Sequence, residues 1–294
     1  MRWPRRCPLL LPLVLLALLG GCRRSPSHSG EEAGTVAPGS LGTVTVKGSD
    51  TLVVLGQRWA EQFMKENPGA RIQVTGGGSG TGIAALINGT TDIAMSSRPL
   101  QDAEKQQARR RWPRGPVELA VARDGITFYV HEGNSVDSLS LAQLQSIYLG
   151  DTRNWKDVGG ADAPIIVYSR ESSSGTYVFV KDAVLKGQDF TERAQTLPGT
   201  AAVVNAVSLE PNGIGYGGVA YARGVKELKV RVSEQGEAVP PTPATLQSGA
   251  YPLSRELYFE LPREPTGLTR SFIDYVLSPE GQRLVTDAGF FPVK

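Results

Sequence analysis

Four short stretches combine residue types able to hold an anion: "GSDTL" (48–52), "GGGSGTG" (76–82), "SSRP" (96–99) and "RESSSGT" (170–176). Each follows an apolar run of strand length and precedes a segment with helical spacing. The first turn of a helix leaves backbone N–H groups free and carries a partial positive charge, which suits an anion. Glycine lets a ligand approach the backbone closely, and hydroxyls donate in adjustable directions. Arginine adds a permanent charge and a two-pronged donor geometry matched to tetrahedral oxyanions. In any one of these loops a Ser, Thr or Asp before a helix reads first as an N-cap. Four such loops, one placing Arg170 ahead of Ser174, Gly175 and Thr176, point instead to a socket for a small oxyanion.

The elements that must position these loops alternate along the chain. "TVTV", "RIQV", "DIAM", "APIIVYS" and "GIGYGGVAY" read as strands. Leu52, Leu55, Trp59 and Phe63 lie on one face of a helix that Asn67, Pro68 and Gly69 stop. Repeated strand, loop and helix predict an α/β class with mixed, mostly parallel sheets flanked by helices. Two long extended segments, near 118–130 and 251–261, read as crossovers between two lobes. They predict a discontinuous first lobe, 41–121 plus 252–294, and a second lobe, 122–251, with the ligand cleft between them.

The amino terminus reads as an export signal. Arg2, Arg5 and Arg6 precede an apolar stretch from Pro8 to Leu19, too short to span a bilayer comfortably. "LGGC" then resembles a bacterial lipobox, which predicts a signal peptide over 1–21 and lipid modification of Cys22. Residues 22–40, rich in Ser, Gly, Pro and charge, read as a flexible tether. The chain has 2 Cys, one inside the removed segment, so no disulfide and no soft-metal cluster is expected in the mature protein. Loss of three arginines takes the formal charge from +2 to about −1, which gives no reason to expect nucleic acid.

Taken together, "GSDTL", "GGGSGTGIAALINGTTDIAMSSRPL", "SRESSSGTYVFV" and "NGIGYGGVAYA" resemble the PstS-like phosphate-binding proteins of bacterial ABC phosphate importers. The resemblance runs from about residue 43 to the carboxyl end. It implies the two-lobed type II periplasmic binding protein fold and dehydrated inorganic phosphate as ligand. It implies donors from Thr51 (hydroxyl and N–H), Leu52 (N–H), Ser79, Arg170 (bidentate), Ser174, Gly175 and Thr176. Ser97 stands where well-known members have Asp, a carboxylate that accepts a proton from phosphate and repels sulfate. Asp50 or Glu171 could supply an acceptor instead, and Arg98 could add positive charge. The implied partners are an ABC permease complex and, through the lipid, the membrane. The protein is expected to be exported, anchored in the cell envelope and monomeric.

Other chemistries find less support. "GGGSGTGI" lacks the lysine of a nucleotide-binding P-loop, and "GYGGVA" lacks the amphipathic helix of a dinucleotide fold. The chain has 2 His, of which His28 lies in the tether, so a hydrolase would rest on His131 without a nucleophile elbow. No metal, cofactor or catalytic residue is expected. The alternatives carried forward are a binder of sulfate or another tetrahedral oxyanion, a phosphate sensor and, with least support, an exported phosphatase.

Overall fold

A computed structural model describes residues 41–293; Cys22 and the rest of the signal and tether lie outside them. The chain begins β1 (Gly42–Gly48), α1 (Val53–Glu66), β2 (Ala70–Thr75), α2 (Ser79–Asn88), β3 (Ile93–Ser96), α3 (Asp102–Arg111) and β4 (Val117–Val130). It continues through β5 (Ser138–Ser140), α4 (Leu141–Leu149), β6 (Ile166–Arg170), α5 (Gly175–Ala183), β7 (Gln195–Leu197), α6 (Gly199–Leu209) and β8 (Gly213–Gly218). Short β9 (Lys226–Glu227), β10 (Lys229–Arg231) and α7 (Pro243–Gln247) lead to β11 (Ser254–Leu261), α8 (Gly267–Val276) and α9 (Pro279–Asp287).

One sheet runs in the order β2-β1-β3-β11-β4-β8-β6-β7, with β9 added on β4. β1 is parallel to β2 and β3, and β6 is parallel to β7 and β8. The antiparallel strands β11 and β4 join these two parallel groups. The fold is therefore mixed α/β with two lobes. β4 is one continuous strand over the first of the two extended segments. Its first half pairs with β11 and its second half, from Ile126, with β8.

The apolar pattern of β4 explains why it serves both lobes. Val121 and Ala122 enter one core with Trp59, Phe63, Phe259 and Phe272, while Ile126, Phe128 and Val130 enter another with Tyr148, Trp155 and Tyr216. The face of α1 read from sequence is the buried one: Leu55, Trp59 and Phe63. Phe63 meets Phe272 edge-on at 5.4 Å, and the Trp59 indole donates to the Gly281 carbonyl at 2.8 Å. Each such buried aromatic stabilises the lobe by roughly 1.5–3 kcal/mol, and the edge contacts add about 0.5–1.5 kcal/mol. The elements missed from sequence are the two- and three-residue strands and α7, all too short to establish a period.

On β11, Glu260 is fully buried, lies opposite Glu118 in the ladder, and has no hydrogen-bond partner for either oxygen. Burial and then the like charge of Glu118 push its carboxyl up to about 9. The folded chain thus holds it protonated at neutral pH, whereas the unfolded chain ionises it near the ordinary carboxylate value. Its stabilising contribution is complete at acid pH and is lost as pH rises toward 9. Glu260→Gln should match the unaltered chain near pH 4 and exceed its stability increasingly from about pH 5 to pH 9, as read by denaturant melts.

Candidate functional site

Three helix starts and one strand end meet between the lobes. The turn from β1 to α1 carries Asp50, Thr51 and Leu52, and Thr51 and Leu52 are buried. This turn requires Gly48, at φ +140°, because a Cβ there would lie 2.2 Å from the Met95 carbonyl oxygen on β3. The Leu52 N–H is donated to the Ser49 carbonyl at 3.1 Å, so in this state that amide is held inside its own turn. Gly76, Gly77 and Gly78 lead to Ser79, the first residue of α2, and Gly77 N–H donates to Asp50 Oδ1 at 2.8 Å. Ser79 Oγ lies 3.2 Å from Ser97 Oγ and accepts from the Ser97 N–H at 3.1 Å.

The second lobe contributes the end of β6 and the start of α5. Ser174 is an N-cap: its hydroxyl oxygen accepts from the N–H groups of Thr176 and Tyr177 at 3.2 and 3.3 Å. That role uses its lone pairs and leaves its O–H to donate, so capping and anion binding do not exclude each other. Gly175 lets the α5 start come close to the first lobe. A Cβ there would lie 2.4 Å from Ser79 Oγ and 2.5 Å from Ser97 Oγ. Thr176 Oγ1 lies 3.2 Å from Thr51 Oγ1, and Gly80 N–H donates to the Ser173 carbonyl at 2.9 Å.

Arg170 is buried at the centre of this arrangement. It donates to Asp50 at 2.8 Å, to both Glu171 oxygens at 3.2 and 3.0 Å, and to Thr200 Oγ1 at 2.9 Å. Those contacts occupy most of a guanidinium's five donors, so a two-pronged grip on a ligand requires a carboxylate to give way. Burial alone would raise the Glu171 carboxyl, but the hydrogen bond and charge of Arg170 outweigh it and hold it below its ordinary value. Tyr221, in the short turn after β8, braces the β1–α1 turn, donating to the Asp50 carbonyl at 2.9 Å.

Of the residues singled out from sequence, the structure brings together Asp50, Thr51, Leu52, Ser79, Ser97, Arg170, Ser174, Gly175 and Thr176. Arg98 is not brought to the socket. Both its terminal nitrogens pair with Glu104 at 2.7 Å, and one also donates to the Pro99 carbonyl, tying it to the start of α3. Sequence reading missed Thr200, Tyr221 and a buried pair, Asp124 and Arg255, on facing positions of β4 and β11. A usable signal existed for Arg255. It sits at period two between Leu253 and Leu257, where a charge on a buried strand face needs a partner.

Fold and loops together define a two-lobed binding protein with its polar junction between the lobes. The chain matches the PBP superfamily domain over residues 33–280. It is 33% identical over 274 residues to the phosphate-binding protein PstS of Pseudomonas aeruginosa, covering 87% of this chain and 85% of that protein. The phosphate-binding protein PstS of Staphylococcus epidermidis is 32% identical over 283 residues, covering 93% and 84%. Among solved structures, a Clostridium perfringens substrate-binding protein assigned to phosphate ABC transport, with bound phosphate, aligns at TM-score 0.79 and 33% identity. That match covers 86% of this chain and 100% of the other. The chain belongs to the PBP superfamily and, within it, to the PstS phosphate-binding proteins.

The steric gauge at Gly175 gives a test. Gly175→Ala should leave the fold cooperative but hold Ser174 and Thr176 away from Ser79 and Ser97. Overpacking of this kind costs about 1–3 kcal/mol, so titration calorimetry should read oxyanion binding weakened roughly 5- to 150-fold.

Proposed function

We propose that this protein captures inorganic phosphate between its lobes outside the cytoplasm and delivers it to an ABC importer. The observation that carries the reading is the convergence of the α1, α2 and α5 starts, each with a hydroxyl, beside the buried Arg170 guanidinium. A tetrahedral oxyanion accepts hydrogen bonds on every face, and helix starts, hydroxyls and one arginine supply donors from both lobes. Thr51, Leu52, Ser79, Ser97, Arg170, Ser174, Gly175 and Thr176 form this ligand shell. Asp50 and Glu171 balance the arginine charge. The relatives named phosphate-binding proteins support phosphate as the ligand.

The lobes in this reading are 41–121 plus 252–294 and 122–251, with β4 and β11 as the hinge strands. Closure about them removes the anion from water. Cys22 carries the lipid, 1–21 is removed and 22–40 tethers a monomeric binding protein to the cell envelope. The ABC permease is the partner, and the ligand leaves chemically unchanged.

Calorimetric titration of the full chain with phosphate and with sulfate, after unfolding and refolding to strip carried-over anion, tests this. Phosphate should bind tightly and sulfate far more weakly. Arg170→Ala should weaken phosphate by at least about a hundredfold, the loss expected when a buried charge-assisted contact is removed. Equal or preferential sulfate binding would keep the clamp and overturn phosphate as its ligand. No binding of either anion would overturn the socket.

A further inference from the structure

The Arg255–Asp124 pair belongs to neither lobe's ordinary core. The two residues face each other on β11 and β4, the strands that join the lobes, and both are more than nine-tenths buried. Arg255 Nη2 donates to Asp124 Oδ2 at 2.9 Å, and Nε donates to the same oxygen at 3.3 Å. Nη2 also reaches Thr176 Oγ1 at 3.0 Å and Thr51 Oγ1 at 3.3 Å. One guanidinium therefore touches the two socket hydroxyls that come from opposite lobes. Its remaining nitrogen, Nη1, is buried with no hydrogen-bond partner.

A buried guanidinium N–H without an acceptor is costly, and native structures rarely retain one without a use for it. Arginine is also a donor only. A hydroxyl that accepts from it must turn its own proton elsewhere. Thr51 and Thr176 already stand 3.2 Å apart, so one of their protons serves the other threonine and the second is free to face a ligand. The result is a donor-only corner built for an acceptor-only oxygen.

We infer that Arg255 is a second oxyanion-binding arginine of the socket. Nη1 meets the ligand directly, Nη2 orients the Thr51–Thr176 hydroxyl pair so that its free proton faces the ligand, and Asp124 holds the guanidinium in place. The inference rests on the oxyanion reading of the site. It differs from the single-arginine clamp in assigning the ligand a second full positive charge, from the hinge strands and not from a helix start. Arg170, shared among Asp50, Glu171 and Thr200, has fewer unoccupied donors than Arg255.

The test compares phosphate titrations of three full-length forms: the unaltered chain, Arg255→Lys, and Arg255→Gln combined with Asp124→Asn. The double variant removes both charges together and so avoids leaving a lone buried carboxylate. Lysine keeps the charge but loses the fork, and should weaken phosphate about tenfold. The double variant should weaken it by about a hundredfold or more while melting cooperatively. A folded double variant that binds within about threefold of the unaltered chain would overturn the inference. Should the double variant not fold, Arg255→Lys decides: a tenfold loss supports the direct contact, and binding within about twofold overturns it. An unaltered chain that binds no phosphate fails the functional reading itself, and the inference falls with it.

Discussion

A guanidinium taken out of water costs several kcal/mol unless a carboxylate stands beside it and its remaining donors find acceptors. Between the lobes this chain buries two: every Arg170 nitrogen finds an acceptor, whereas Arg255 has its carboxylate but an Nη1 without an acceptor. Arg170 is held by Asp50 from the first lobe and Glu171 from its own, and Arg255 by Asp124 across the two joining strands. Much of the surrounding architecture follows from these requirements. The glycines at 76–78 let the α2 start come down on Asp50. Tyr221 fixes the carbonyl behind it, and α6 begins where Thr200 can accept a hydrogen bond from Arg170.

The carboxylates are not passive. Three of them stand beside two arginines, so the group carries no net positive charge before any ligand arrives. An incoming anion is then held mainly by directed hydrogen bonds, with fixed dipoles at helix starts, and less by bulk charge. Such bonds discriminate by geometry and by which oxygens carry protons. Burial pushes the Asp124 carboxyl up, against the pull of Arg255, which draws it back.

Much of the fold was legible because its signals are local. The Leu55, Trp59 and Phe63 face has helical period, and the strand-to-helix loops announce themselves by Gly, Ser and Thr at fixed places. The α/β class followed from that alternation, and the two lobes from the two long extended segments. Arg98 stood out for its place beside Ser97, yet "RPLQDAE" puts Glu104 within reach, and the side chain turns to that carboxylate. Asp124 and Arg255 could not be paired from sequence because they lie 131 residues apart and meet only through strand register. The contact between Gly175 and the Ser79–Ser97 hydroxyls was hidden for the same reason: it depends on how two lobes close.

The continuous β4 strand has a bearing on how the molecule comes apart. Two cores of separate composition would ordinarily be free to unravel one at a time. Here a single run of fourteen residues is an inner strand of both. Losing either core strips partners from the same backbone that the other needs, and at the far end of the chain Tyr251 and Leu253 enter the second core just ahead of β11, whose Leu257, Phe259 and Leu261 enter the first. Heat or denaturant is therefore expected to meet one cooperative unit, because neither core keeps its sheet partners once the shared strand is lost.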